Sequence, residues 1–284
     1  MGDGAYFPRG RSVLRRVHRE RIVGILYGQR ALLLQAAHPL AFAGLTANTR
    51  GLEAPFQRLA HTAKTMEVIF FGTRAEAERE AARVRGLHRS VRGALDEPAG
   101  HYPTGSPYRA DDPEFLLWIL ACLADSAQAV YERFVRPLRS EERAAFWDEY
   151  LAVGELFALP RHRAPATYGD YRAYMAERLA SADLHVTPRA RELGRRVAFE
   201  LPLPAHRRPA LLAINFMVLG LLPPRVRALY GLGWGPVQEA ALAGLAASLR
   251  AARPLAPARV RRGSSAGEYD LVARTEARRL RRVA

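Results

Sequence analysis

The chain has 284 residues, of which 49% are hydrophobic and 25% charged, the make-up of a globular protein long enough to bury a sizeable core. That excludes a mainly disordered, collagenous or rod-like molecule, and a single cysteine, Cys122, excludes an internal disulfide framework and any multi-cysteine metal site. The net charge of +15 comes from 43 basic and 28 acidic residues.

The charge sits at the ends. Residues 1–30 hold seven arginines against Asp3 and Glu20, and residues 250–284 hold ten against Glu268, Asp270 and Glu276. Such ends are either solvated tails or contacts for an anionic surface. The segment from Met1 to Arg21 has no apolar stretch of the kind a secretory signal needs. The apolar runs 31–47 and 210–222 are too short or too interrupted to span a bilayer. Both read as buried core helices, and the protein as cytoplasmic, with peripheral contact with an anionic membrane as the secondary expectation.

Helical periodicity dominates, because alanine, leucine and arginine are plentiful and short β-branched runs are almost absent. The spacing predicts helices near 12–36, 39–48, 54–71, 74–97, 112–136, 140–157, 167–181, 187–198, 207–221, 223–230 and 234–252. Thr73 with Glu76 has capping-box spacing, and Asp112-Pro113-Glu114 supplies an N-cap, a first-turn proline and a first-turn acid. The Pro/Gly-rich breaks at 98–107, 160–166 and 201–209 are too short for interdomain linkers, and no internal repeat is present. The expectation is one all-α domain of about ten helices over 1–252. Beyond it a basic Arg/Pro/Gly-rich tail, 253–284, leaves the compact body and ends in a short helix at 270–283.

The common catalytic motifs are missing: there is no phosphate loop, HExxH or ExxH. A G-x-S-x-G at residues 263–267 lies in the tail without the strand that a nucleophile elbow needs. Residues 231–235 (GLGWG) lack the strand of a dinucleotide fingerprint. Histidines are more informative. His88 borders an apolar stripe of Val84, Leu87, Val91 and Leu95, opposite Glu80, Arg83, Arg85 and Arg89. It is either a core histidine satisfied by a hydrogen bond or a ligand for haem or metal iron. Arg58, His61 and Thr62 share one helix face, either an exposed polar surface or a cluster facing a cavity. In a cavity Arg58 would hold a propionate or polarised oxygen, Thr62 would donate a hydrogen bond, and His61 would ligate or act as a base. His38, before Pro39, reads as a helix end. Cys122 reads as a small buried residue, and Asp125 and Ser126 as structural hydrogen-bonding groups that need buried partners.

An ordered set of segments resembles the haem-dependent oxygenase family that includes the MpaB oxygenase and the latex-clearing rubber oxygenases. It comprises Arg30 to Gln35 with Ala37-His38-Pro39, Arg58-Leu59 with Thr62, Phe71-Gly72, and Val84-Arg85 with His88 and Val91-Arg92-Gly93. It continues with Tyr108 through Asp112-Pro113-Glu114, Leu117-Trp118, Asp125-Ser126 and Tyr131 to Leu138. Leu221 to Arg225, Tyr230-Gly231-Leu232 and Trp234 complete it, so the resemblance runs from about 19 to 236.

The resemblance implies a globin-like, all-α domain around a b-type haem, with His88 as the proximal iron ligand. It places Arg58, His61 and Thr62 on the distal side, where the rubber oxygenases carry Arg-x-x-Lys-Thr. Two departures stand out: histidine replaces that lysine at His61, and Leu120 stands where many relatives have a histidine. The implied activity is dioxygen-dependent oxidation or cleavage of a C=C bond in an apolar, isoprenoid-like substrate. Two alternatives stay open. One is a bis-histidine haem protein for electron transfer, closed by His61. The other is a non-catalytic helical module docking on anionic membrane through its basic ends. No motif points to specific nucleic-acid binding.

Overall fold

The computed structural model describes residues 4–46 and 54–283. Its helices are α1 (Val13–His18), α2 (Arg21–Ala36), α3 (Pro39–Thr46), α4 (Pro55–Phe71) and α5 (Arg74–Ser90). A small hairpin of β1 (Arg92–Ala94) and β2 (Pro107–Arg109) precedes the long α6 (Pro113–Phe134). Then follow α7 (Ser140–Leu156), α8 (Tyr168–Ala180), α9 (Pro188–Phe199), α10 (Arg208–Leu221) and α11 (Pro224–Leu229). Last come α12 (Pro236–Ala252), α13 (Ala258–Arg261) and α14 (Ser265–Val283). The fold is all-α, as expected; residues 47 and 48 of the helix anticipated at 39–48 lie outside the described residues.

The core is built on α2 and α6, the most extensively packed pair after α4 and α14. Apolar on nearly every side, α2 buries Val23, Leu26, Leu33 and Leu34, the pattern of a helix enclosed by others. By length and apolarity α6 would also pass for a membrane span, yet 67% of its apolar window is buried inside the fold. Arg30 sits between these two helices at 3% exposure. Its guanidinium donates to Asp125 Oδ2 (2.7 Å), Ser126 Oγ (2.8 Å) and the Leu221 carbonyl (2.8 Å), and Arg172 donates to Asp125 Oδ1 (2.8 Å). These are the partners that the sequence required for Asp125 and Ser126. Cys122 is a buried free thiol on the same helix.

A second acid anchors the other side. Glu142 is buried, caps α7 through the Arg139 N–H, and accepts from Arg136 and Arg16. The Arg136 hydrogen bond leads the groups that hold its carboxyl down at about 2, against an ordinary 4.5. A depressed carboxyl pKa stabilises the fold above the unfolded value and loses that contribution as pH falls through the folded one. Acid titration should therefore weaken the wild type steadily between pH 4.5 and about 2. In E142Q the stability-versus-pH curve should be flatter over that window, as followed by urea midpoints.

Several expectations are corrected. The helix anticipated over 12–36 is two helices. At the break Glu20 is extended (φ −74°, ψ 122°), bridges Arg262, and accepts from Arg253 at 2.6 Å. The helix anticipated over 74–97 stops at Ser90, because residues 92–94 pair with 107–109 across the Pro/Gly-rich turn. Gly93 permits this pairing, since a Cβ there would stand 2.5 Å from Tyr108 Oη. Leu95 consequently leaves the helical stripe and bonds through its N–H to the Ser106 carbonyl.

The tail does not leave the body. From Ser265 to Val283 it forms one helix that lies along α4, burying Tyr269 and Val272. Glu276 accepts from the Phe56 and Gln57 N–H groups, orphan donors at the start of α4. On α2, Gly24 and Gly28 make room for this helix: a Cβ at Gly28 would stand 2.6 Å from Tyr269 Oη. Nor is the N-terminal basic end a free tail. Arg15 is buried on the Phe7 and Phe71 carbonyls, Arg16 pairs with Glu142, and Arg21 pairs with Glu268. The run 210–222 is a core helix only in part: Val218 and Leu222 are buried, Ile214, Phe216, Met217, Leu219 and Leu221 pack half-buried against the core, and Leu212 is exposed.

Candidate active-site cavity

A cavity of about 750 Å³ opens between α2, α4, α5, α6 and α14, within the range of small-molecule and cofactor sites. Its walls are mostly apolar. Ala31 and Leu32 come from α2, Leu116, Ile119 and Leu123 from α6, Val84 and Leu87 from α5, and Tyr269 from α14. Gln35 also faces it, with its amide tied to the Ile119 carbonyl at 3.3 Å.

All four sequence-selected residues line this one space: Arg58, His61 and Thr62 from α4, and His88 from α5. Gly72 and the capping box of Thr73 and Glu76 set up the juxtaposition, turning the chain sharply so that α5 packs back on α4. A side chain at position 72 would put its Cβ 2.6 Å from the Val68 carbonyl oxygen.

The His88 imidazole is pushed below its ordinary pKa, chiefly by burial, with Arg58 acting in the same sense and Asp111 against it. It is therefore a neutral ring at neutral pH. Its Nδ1 is buried without a hydrogen-bond partner among the described residues. His18 differs, since its Nε2 is 2.7 Å from Tyr150 Oη and its ring stacks on Phe70, whereas buried His38 shares an unpartnered ring nitrogen, Nε2, among the described residues but lies off the cavity. The Arg58 guanidinium is half-buried, burial lowers its pKa, and it has no ion pair among the described residues. His61 and Thr62 are exposed, at the polar side of the cavity. The Thr62 hydroxyl donates to the Arg58 carbonyl at 3.1 Å, so toward a ligand it offers lone pairs and not the anticipated proton.

Other features of the site were not foreseen. Thr65, one turn beyond His61, lines the cavity and donates to Glu80 at 2.5 Å. Arg83 was expected on the outer face, yet it lines the cavity and donates to Glu80 and Thr65. The arginine hydrogen bond leads the interactions that take the Glu80 carboxyl down to about 2. Leu87, expected on the buried stripe, is 52% exposed at the rim. The i, i+3 pair of Glu80 and Arg83 was visible in the sequence, but nothing there showed that Thr65 would draw it inward. Leu120 is buried and helps wall the cavity against Gly154 and Leu159. His38 is buried and begins α3, receiving the Ala41 N–H on Nδ1 at 3.4 Å; burial lowers its pKa to about 4. It does not line the cavity.

Comparison with known proteins adds three findings. The chain is 28% identical over 206 residues to uncharacterised proteins of Mycobacterium bovis and Mycobacterium tuberculosis, covering 72% of this chain and 77% of each relative. No solved structure matches. The catalytic domain described as ER-bound oxygenase mpaB/B'/rubber oxygenase matches residues 15–251, which include every element that walls the cavity except α14. The chain belongs to that family of oxygenase catalytic domains.

Proposed function

We propose that the protein is a haem b-dependent oxygenase that uses dioxygen to oxidise or cleave a C=C bond of an apolar, isoprenoid-like substrate. The observation that carries this reading is the convergence of His88 and Arg58 on one apolar cavity, where the His88 Nδ1 has no hydrogen-bond partner and the Arg58 guanidinium no ion pair among the described residues. Among the described residues no three His, Cys, Asp or Glu side chains converge on a common point. A porphyrin-held iron needs only one axial imidazole from the protein, and the donor set fits that need.

When bound, the haem supplies the dioxygen and one-electron chemistry. His88 would hold the iron, and its neutral ring has a lone pair to give without first losing a proton. Arg58 would pair with a propionate or a polarised oxygen. His61, exposed at the polar side of the cavity, would hold or pass a proton at a ring nitrogen. The leucine, isoleucine and phenylalanine walls receive the hydrocarbon and exclude water.

The test is dioxygen uptake by haem-supplied protein with isoprenoid olefins of graded length. The expected result is uptake matched by carbonyl products and at least tenfold slower in R58A. Haem-loaded wild type that consumes no dioxygen with any olefin would contradict the reading. Because His61 and His88 share the cavity, a six-coordinate, unreactive haem would instead favour electron transfer.

A further inference from the structure

α10, with 14 residues from Arg208 to Leu221, is apolar over nearly its whole length; it buries Val218 and packs Ile214, Phe216 and Met217 half-buried on the core, but leaves Ala210, Leu212 and Ala213 exposed at its start. At about 21 Å it is too short to cross a hydrocarbon core of about 30 Å. An apolar helix of this length belongs either in a core or at an interface, and the first turns of this one lie outside the core.

Its first turns sit at a particular end of the molecule. Ala210, Ile214 and Arg207 line a groove with Gly24 and Ile25 of α2. The former tail reaches the same end: Arg253 binds Glu20, and Arg21 donates to the Arg259, Val260 and Arg262 carbonyls. Three large apolar side chains stand free there: Leu212 (70% exposed), Leu255 (86%) and Val260 (54%). Around them Arg207, Arg208, Arg259 and Arg262 are exposed and make no ion pair among the described residues. The acids that meet these segments, Glu20 and Glu268, are already held by Arg253 and Arg21.

From this geometry we propose that the end formed by the start of α10 and residues 253–262 docks on an anionic lipid bilayer. Leucine and valine enter the headgroup boundary while the unpaired arginines meet lipid phosphate. The charge selects this occupant over a second copy of the chain, whose identical arginines would face these across a symmetric interface. The surface is separate from the cavity residues, so it stands whether or not the haem reading does.

The test is flotation of the full-length chain with phosphatidylcholine vesicles, with and without phosphatidylglycerol. Capture by the anionic vesicles only, falling steeply as salt rises, is the expected result. L212D/L255D and R207S/R208S/R259S/R262S should each weaken capture at least tenfold, with far-UV circular dichroism and thermal midpoint unchanged. Failure to bind anionic vesicles, or binding indifferent to salt and to both variants, would overturn the proposal. So would a wild-type dimer in sedimentation velocity that L212D/L255D splits, since a second copy would then cover this face.

Discussion

Replacing Asp125 with alanine should cost the fold about 3–5 kcal/mol, because it leaves the Arg30 guanidinium charged and unpaired between α2 and α6. The loss should appear as a lower urea midpoint and a thermal midpoint reduced by roughly 10 °C. The reciprocal change should be milder. In R30M the Asp125 carboxylate keeps Arg172, whose side chain is half-exposed and reaches it from the far side at 2.8 Å. The group left behind is then a paired, partly solvated ion and not a buried orphan. Equal losses for D125A and R30M, or a D125A loss below about 1 kcal/mol, would show that this network is not the anchor described here.

His88→Ala has the largest expected functional effect and should lose nearly all bound haem while leaving stability almost unchanged. Among the described residues the His88 ring makes no hydrogen bond that its removal would strand, and it lines a cavity already present. His18→Ala should behave in the opposite way, since it breaks the bond to Tyr150 and opens a void beside Phe70 and Tyr27. A His88→Gly chain supplied with free imidazole should recover haem, because the added ring can occupy the space that the side chain vacates. Stability loss in H88A as large as in H18A would return His88 to the role of a packing residue.

The parts of the molecule legible in the sequence are those written in local chemistry. Thr73 with Glu76 and Asp112 with Pro113 start helices where their side chains dictate. Spacing of three and four placed Arg58, His61 and Thr62 on one face of α4. What spacing could not convey was decided by distant partners. Glu20 interrupts a continuous helical pattern where Arg253 and Arg262 arrive from the other end of the chain. The Arg-rich tail looked solvated because its composition is polar, yet Tyr269, Val272 and Glu276 fall on one side of a helix that α4 and two α2 glycines accommodate. α10 was legible in part, since its apolar run packs Phe216 and Val218 on the core yet leaves Leu212 exposed, a division that apolarity alone does not show. Arg83 turned toward the cavity because Thr65 and Glu80 meet across the α4–α5 hairpin, a contact that neither helix reveals alone.

The most direct test of the account is the visible absorption spectrum of protein produced with haem supplied, taken beside that of H88A. A Soret band in the wild type that vanishes or shifts in a folded H88A is the predicted result. Folded wild type produced with haem supplied yet lacking a Soret band, or an H88A band identical to that of the wild type, would contradict it.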